Sequence, residues 1–193
     1  MLSAIGRGGP RGSRIVKARG AGKAGAIALA AVLGSGTASL AVECRLGLAV
    51  FDAPACDIAQ VEHFDGQARY VQWEADGTLY QVTAVALEKR RTFKGYLGRW
   101  RHSHKCTAVE IPVSEPVRLT GPGGAQGGTP PQVSWSGNCA ACSSYFVRAI
   151  GFEGLVVELH AGRYCSRERT GGFPPLEQAF ARLLNGVRLF ADR

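Results

Sequence analysis

The chain has 193 residues, 46% of them hydrophobic and 20% charged, with 26 glycines, six cysteines and a formal net charge of +8. That hydrophobic share excludes a disordered polyampholyte, and the length suits one domain with a real core behind a short leader. The basic excess does not predict nucleic-acid binding, because it is not spread along the chain. Residues 1–41 hold Arg7, Arg11, Arg14, Lys17, Arg19 and Lys23 and no acid. Without them, 17 of the 23 basic residues stand beside all 15 acids, a net charge of +2.

The leader has the layout of a cleavable export signal. A basic segment is followed by an uncharged Ala-, Leu-, Gly- and Ser-rich stretch from Ala24 to Val42, and Ser39-Leu40-Ala41 offers a small-residue exit. A transmembrane anchor and a mitochondrial transit peptide are the rival readings. The stretch is just long enough to span, but it is weakened by Gly, Ser and Thr. Arg-rich, acid-poor composition is shared with transit peptides. With no twin-arginine pair, a general secretory route is the expectation, to the periplasm or outside the cell, with an organelle lumen as the alternative.

All six cysteines, Cys44, Cys56, Cys106, Cys139, Cys142 and Cys165, follow the expected cut. An even number in an exported domain reads as a disulfide framework whose connectivity the sequence does not choose. The pairing taken as a working expectation is Cys44–Cys56, Cys106–Cys165 and Cys139–Cys142.

Along the mature part, 42–193, weak strand character around residues 46–51 ends at Pro54. Arg69 to Ala75 and Thr78 to Glu88 flank Asp76-Gly77, the favoured pair for a two-residue hairpin turn, which sets Trp73 opposite Tyr80 and Val71 opposite Val82. Thr92 is suited to cap a helix on which Phe93, Tyr96, Leu97 and Trp100 form an apolar stripe weakened by Gly95 and Gly98. Val109, Ile111 and Val113 suggest a strand that Pro112 confines to an edge or a bulge. Thr120 to Pro131 reads as a surface loop with no phosphate-binding pattern.

A second hairpin is expected from residues 144–151 and 155–161, with Phe152-Glu153-Gly154 as its loop, Arg148 opposite Glu158 and Ala149 opposite Val157. A short helix over 140–150 is the competing reading. Pro175 opens a last helix with the stripe Leu176, Ala179, Phe180, Leu183, Leu184 and Val187. Asn185-Gly186 stops it, and a short strand follows at 187–190.

These elements predict an α+β domain: an antiparallel β-sheet with two main helices packed on it, stabilised by disulfides. In element order, and in the ending GLVVELHA, long loop, LEQAFARLLNGV and VRLF, residues 44–190 resemble the PsbP-like α/β/α sandwich proteins. That resemblance implies a lumenal or periplasmic accessory or binding module, not an enzyme, and supplies no catalytic residues.

Three stretches carry candidate chemistry. Lys89, Arg90, Arg91, Lys94, Arg99, Arg101 and Lys105 lie in a segment without acids, interleaved with Phe93, Tyr96 and Trp100. Such a segment can dock an acidic partner protein, alone or within a membrane-associated complex, or an anionic lipid surface. Cys139-Ala140-Ala141-Cys142 is a C-x-x-C, the spacing of a thiol–disulfide oxidoreductase when its first cysteine sits at a helix N-terminus. Ser143 excludes covalent haem attachment there. His102, His104 and Cys106 alternate, so on a strand they share one side with donors that suit copper or zinc. His160, on the Glu158 face of its strand, is read as a polar surface residue, and no ligand role is drawn for His63. The expectation drawn is a non-catalytic binding protein with no cofactor and no nucleic-acid partner, with the redox pair Cys139/Cys142 and a metal site at His102/His104 as alternatives.

Overall fold

The computed structural model describes residues 41–103, 107–121, 127–139, 143–164 and 172–190. The leader, the Cys106–Cys165 and Cys139–Cys142 pairings and the centre of the glycine-rich loop lie outside them. The described residues form a mostly antiparallel α+β fold with two helices, α1 (Phe93–Ser103) and α2 (Leu176–Gly186). No helix among them is long and apolar enough to cross a membrane.

The strands fall into two sheets where one was expected. Seven strands run in the order β3 (Ala59–His63), β4 (Gly66–Ala75), β5 (Thr78–Leu87), β10 (Leu155–Tyr164), β9 (Ser143–Phe152), β8 (Gln132–Cys139) and β6 (Thr107–Ile111). The smaller sheet runs β1 (Val42–Leu46), β2 (Ala49–Ala53), β11 (Arg188–Phe190) and β7 (Leu119–Thr120), with β11 and β7 parallel. The weak strand signal near residue 46 is thus a hairpin, β1 to β2, turning at Gly47 with φ +58°. The Cys44–Cys56 disulfide forms as expected. A loop of that size stabilises the fold by about 3 kcal/mol on chain-entropy grounds. Strand β6 ends at Ile111, before Pro112, and among the described residues pairs only with β8, so it takes the edge position that the proline demands.

The Asp76-Gly77 hairpin has the expected register, Trp73 opposite Tyr80 and Val71 opposite Val82. Asp76 and Gly77 take φ of +49° and +65°, as a type I′ turn requires. The second hairpin differs by one residue. Phe152 pairs with Leu155, the loop is Glu153-Gly154, Val157 faces Ile150, and Glu158 faces Ala149 rather than Arg148. Drawing Phe152 into the ladder lets both Phe152 and Leu155 pack on the core. The loop is also tied down by the Leu87 amide, which donates to the Gly154 carbonyl at 2.9 Å. Because strand side chains alternate, this slip puts Arg148 and Glu158 on opposite faces and removes the expected ion pair. From Ser143 onward the strand β9 stands where the competing helix was expected.

The buried residues form two hydrophobic cores. One core gathers Val71, Val82, Ile150, Val157 and Leu159 with Phe51 and Leu189 of the smaller sheet and Leu176, Ala179, Phe180 and Leu183 of α2. The other gathers Val85, Trp135, Tyr145, Val147 and Val156 with Tyr96 and Trp100 of α1. Phe180 stacks on Phe146 at 5.6 Å, and Trp100 on Trp135 at 4.1 Å. Pro175 stands one position before α2, not in its first turn. Its carbonyl accepts from the amides of Gln178 and Ala179 at 3.0 and 3.1 Å. Buried Arg163 fixes the approach to α2, donating to Thr78 Oγ1 at 2.7 Å and to the Pro174 carbonyl at 2.9 Å.

Candidate functional site

The basic segment folds into α1 and the turn before it. The Thr92 hydroxyl caps the helix, accepting from the Gly95 amide at 3.2 Å. Tyr96 and Trp100 are fully buried, as their spacing implies. The start of the helix lies hard against the sheet: a Cβ at Gly151 would come within 2.3 Å of the Phe93 ring. Only glycine allows that approach.

Three of the seven basic residues, Arg91, Arg99 and Arg101, are engaged by acids of the chain. Asp65, wholly buried, is contacted by Arg91 at 2.5 Å and by Arg99 at 2.6 Å. Arg91 also reaches Glu88 at 2.5 Å, and Arg101 pairs with Glu110. These acids lie outside the acid-free segment, so the segment's own composition hid them. Lys89, Arg90 and Lys94 are exposed and make no ion pair among the described residues. Lys105 lies outside the described residues. Arg90 has φ +70°, in the left-handed region, at the turn into α1. Reversing Arg99 and Arg101 is therefore no clean test of docking, because it would also break contacts within the fold.

Glu158 was expected on a wet strand face. It lies instead under α1, where the Tyr96 hydroxyl donates to its carboxylate and the Trp100 side chain bonds to it as well. Burial pushes the Glu158 carboxyl above its ordinary range, and the two hydrogen bonds oppose that rise only in part. Burial, then the nearby Glu158 charge, raises the Tyr96 hydroxyl far beyond its usual value, so it stays a donor. A carboxyl raised on folding contributes stability that is fully present below its unfolded value near 4.5 and is lost as the pH rises through its folded value. Glu158→Gln should remove that dependence. Chemical denaturation of both proteins across acid to neutral pH should show the wild type losing stability relative to the variant as pH rises. Parallel curves would contradict this assignment.

Arg148, on the other face, donates to Ser134 Oγ at 2.8 Å and to the Glu115 carbonyl at 2.5 Å, and lies 6.0 Å from the Phe180 ring centre. It anchors the 112–118 segment to the sheet instead of meeting Glu158.

Cys139 is the last residue of β8, with Ser143, the first residue of β9, as its backbone partner. The C-x-x-C thus spans a strand-to-strand connection. The described residues that follow it are a strand, so among the described residues no helix begins there to lower a thiol pKa. Cys142 lies outside the described residues, as do His104, Cys106 and the side chain of His102. Among the described residues no three His, Cys, Asp or Glu side chains gather as a metal site. His63 stacks on Tyr96 of α1 at 6.0 Å and lies tilted against Phe64, and His160 meets the Tyr145 ring of β9 edge-on at 5.9 Å, so both are part of ring packing.

Compared with known families, curated proteins and solved structures, the chain matches none.

Proposed function

We propose that this is an exported, non-catalytic binding protein that docks an acidic partner protein through the exposed cations at the start of α1. In this reading the α/β/α architecture, with one helix against each face of the long sheet, is the rigid support, in keeping with the resemblance to PsbP-like accessory modules. The observation that carries it is the division of the basic segment. Arg91, Arg99 and Arg101 are engaged by the chain's own acids, whereas Lys89, Arg90 and Lys94, in the turn before α1 and its first turn, are exposed and make no ion pair among the described residues. Export is supported by the leader's layout and by the Cys44–Cys56 disulfide, a bond that persists in oxidising compartments. The placement of the C-x-x-C between paired strands favours docking over thiol–disulfide exchange.

The test is the triple reversal Lys89→Glu, Arg90→Glu, Lys94→Glu. It should abolish retention on immobilised polyglutamate and capture of the partner from native envelope material. It should leave the thermal midpoint nearly unchanged, since exposed substitutions away from special contacts usually cost about 0.5 kcal/mol or less. Wild-type binding should also weaken as salt rises. Undiminished capture by the triple variant would remove this surface from consideration.

A further inference from the structure

A cavity of about 220 Å3 opens between β2, the β4–β5 hairpin and the end of α2. Trp73 stands in its wall between Phe51, at 5.8 Å and 12° between ring planes, and Tyr80, at 5.4 Å and 17°. Leu183 and Val187 complete the apolar lining. The volume is below the roughly 300–1,000 Å3 of pockets for drug-sized ligands, which restricts the occupant to a small molecule.

The charge around these rings is positive. Arg182 is the one cation in the lining among the described residues. Of the charged groups acting on the Tyr80 hydroxyl it acts most strongly, with Asp76 opposing it and Arg163 adding to it. Asp76 meets Arg182 at 3.5 Å, and both side chains are more than half exposed, so a ligand can displace that contact at little cost. Asp52 also borders the cavity, but it follows Phe51 on β2 and pairs with Glu43 across the β1–β2 hairpin. Its carboxylate therefore lies on the exposed face with Glu43, away from the rings. Arg163 is buried, yet it meets only neutral acceptors, Thr78 Oγ1 at 2.7 Å and the Pro174 carbonyl at 2.9 Å, and its Nε has no hydrogen-bond partner. The Thr78 side chain in turn hydrogen-bonds Tyr80. A buried cation that meets no acid among the described residues leaves its field unopposed beside this wall.

Two repulsions orient an anion here. Ring faces are negative, and so are the carbonyls at the end of α2, beside Gly186. The charged group is therefore placed at Arg182, about one helical turn before Gly186, and the apolar body over the rings.

We propose that this cavity binds a small carboxylate with an apolar or aromatic body, the body against the Phe51, Trp73 and Tyr80 row and the carboxylate on the Arg182 guanidinium. Guanidinium and carboxylate match as a two-bond fork, a closer fit than the 3.5 Å contact to Asp76. The site is independent of the docking surface at α1 and does not rest on it.

The full-length protein can be titrated with benzoate, benzamide and benzamidine, which share one shape and are anionic, neutral and cationic. Binding is followed by tryptophan fluorescence and by the Trp73 indole N–H resonance, assigned by its loss in Trp73→Phe. Benzoate should bind and shift Trp73, benzamide should bind about tenfold more weakly, and benzamidine should not compete. Arg182→Gln should weaken benzoate about tenfold with the unfolding midpoint unchanged, and Arg182→Lys should restore part of the loss. Asp76→Asn should strengthen benzoate about threefold by releasing Arg182. Asparagine accepts the φ of +49° at this turn, so the hairpin is kept. Equal binding of the three probes would show an apolar cavity without charge selection and overturn the carboxylate assignment. Preference for benzamidine would overturn it in favour of cations held by Asp76. No shift of Trp73 at about 10 mM benzoate would remove the site altogether.

Discussion

Replacing both Arg91 and Arg99 by Met should destabilise the fold by about 3–5 kcal/mol, a fall in Tm of about 10 °C for a domain of this size. The reason is asymmetric. The two guanidinium groups are partly exposed, with side chains 31% and 41% accessible, and water can solvate them if Asp65 is lost. Asp65 is wholly buried, so losing both arginines strands a carboxylate. Methionine keeps the apolar stems and removes only the charges. Adding Asp65→Asn to the double variant should therefore recover much of the loss, which a simple packing defect would not. Urea unfolding of the wild type, the double and the triple variant measures this directly. A double variant within about 1 kcal/mol of wild type would mean that the pairing to Asp65 does not hold α1 and its preceding turn in place.

The second large effect is expected at Trp100. Trp100→Ala should cost about 3–5 kcal/mol, as truncations of large buried aromatics do. Its ring is fully buried, stacks on Trp135 at 4.1 Å and 10°, and sends a hydrogen bond to Glu158. Truncation would thus leave both an empty space and a buried carboxyl with one donor fewer. Lys94→Ala, on the exposed side of the same helix, should change stability by no more than about 0.5 kcal/mol. The contrast between the two variants, read from unfolding midpoints and from near-ultraviolet circular dichroism, separates core anchorage from helix propensity. A small loss at Trp100 would show that α1 contributes little to the cooperative unit.

These two variants act on contacts of different legibility. The burial of Trp100 follows from the spacing of Phe93, Tyr96, Leu97 and Trp100 in the sequence, because a helix of fixed period must turn that stripe inward. The partner of Arg99 does not follow from any spacing. Asp65 lies in the β3–β4 turn, and nothing local to residues 89–105 announces that it will be buried beside them.

The same division runs through the rest of the molecule. The chain's own residues determined the Asp76-Gly77 hairpin with its register, the Thr92-capped helix and the stripe of α2. Each depends on neighbours a few positions apart, whose geometry the backbone dictates. Only the tertiary structure decided that β1, β2, β7 and β11 would leave the main sheet, that Phe152 would enter the ladder, and that Glu158 would lie beneath Tyr96. It also decided that Phe51 would complete a row with Trp73 and Tyr80. These outcomes were set by burial against distant segments. A strand's period of two fixes which residues share a face, but which face meets water depends on what the rest of the chain lays over it.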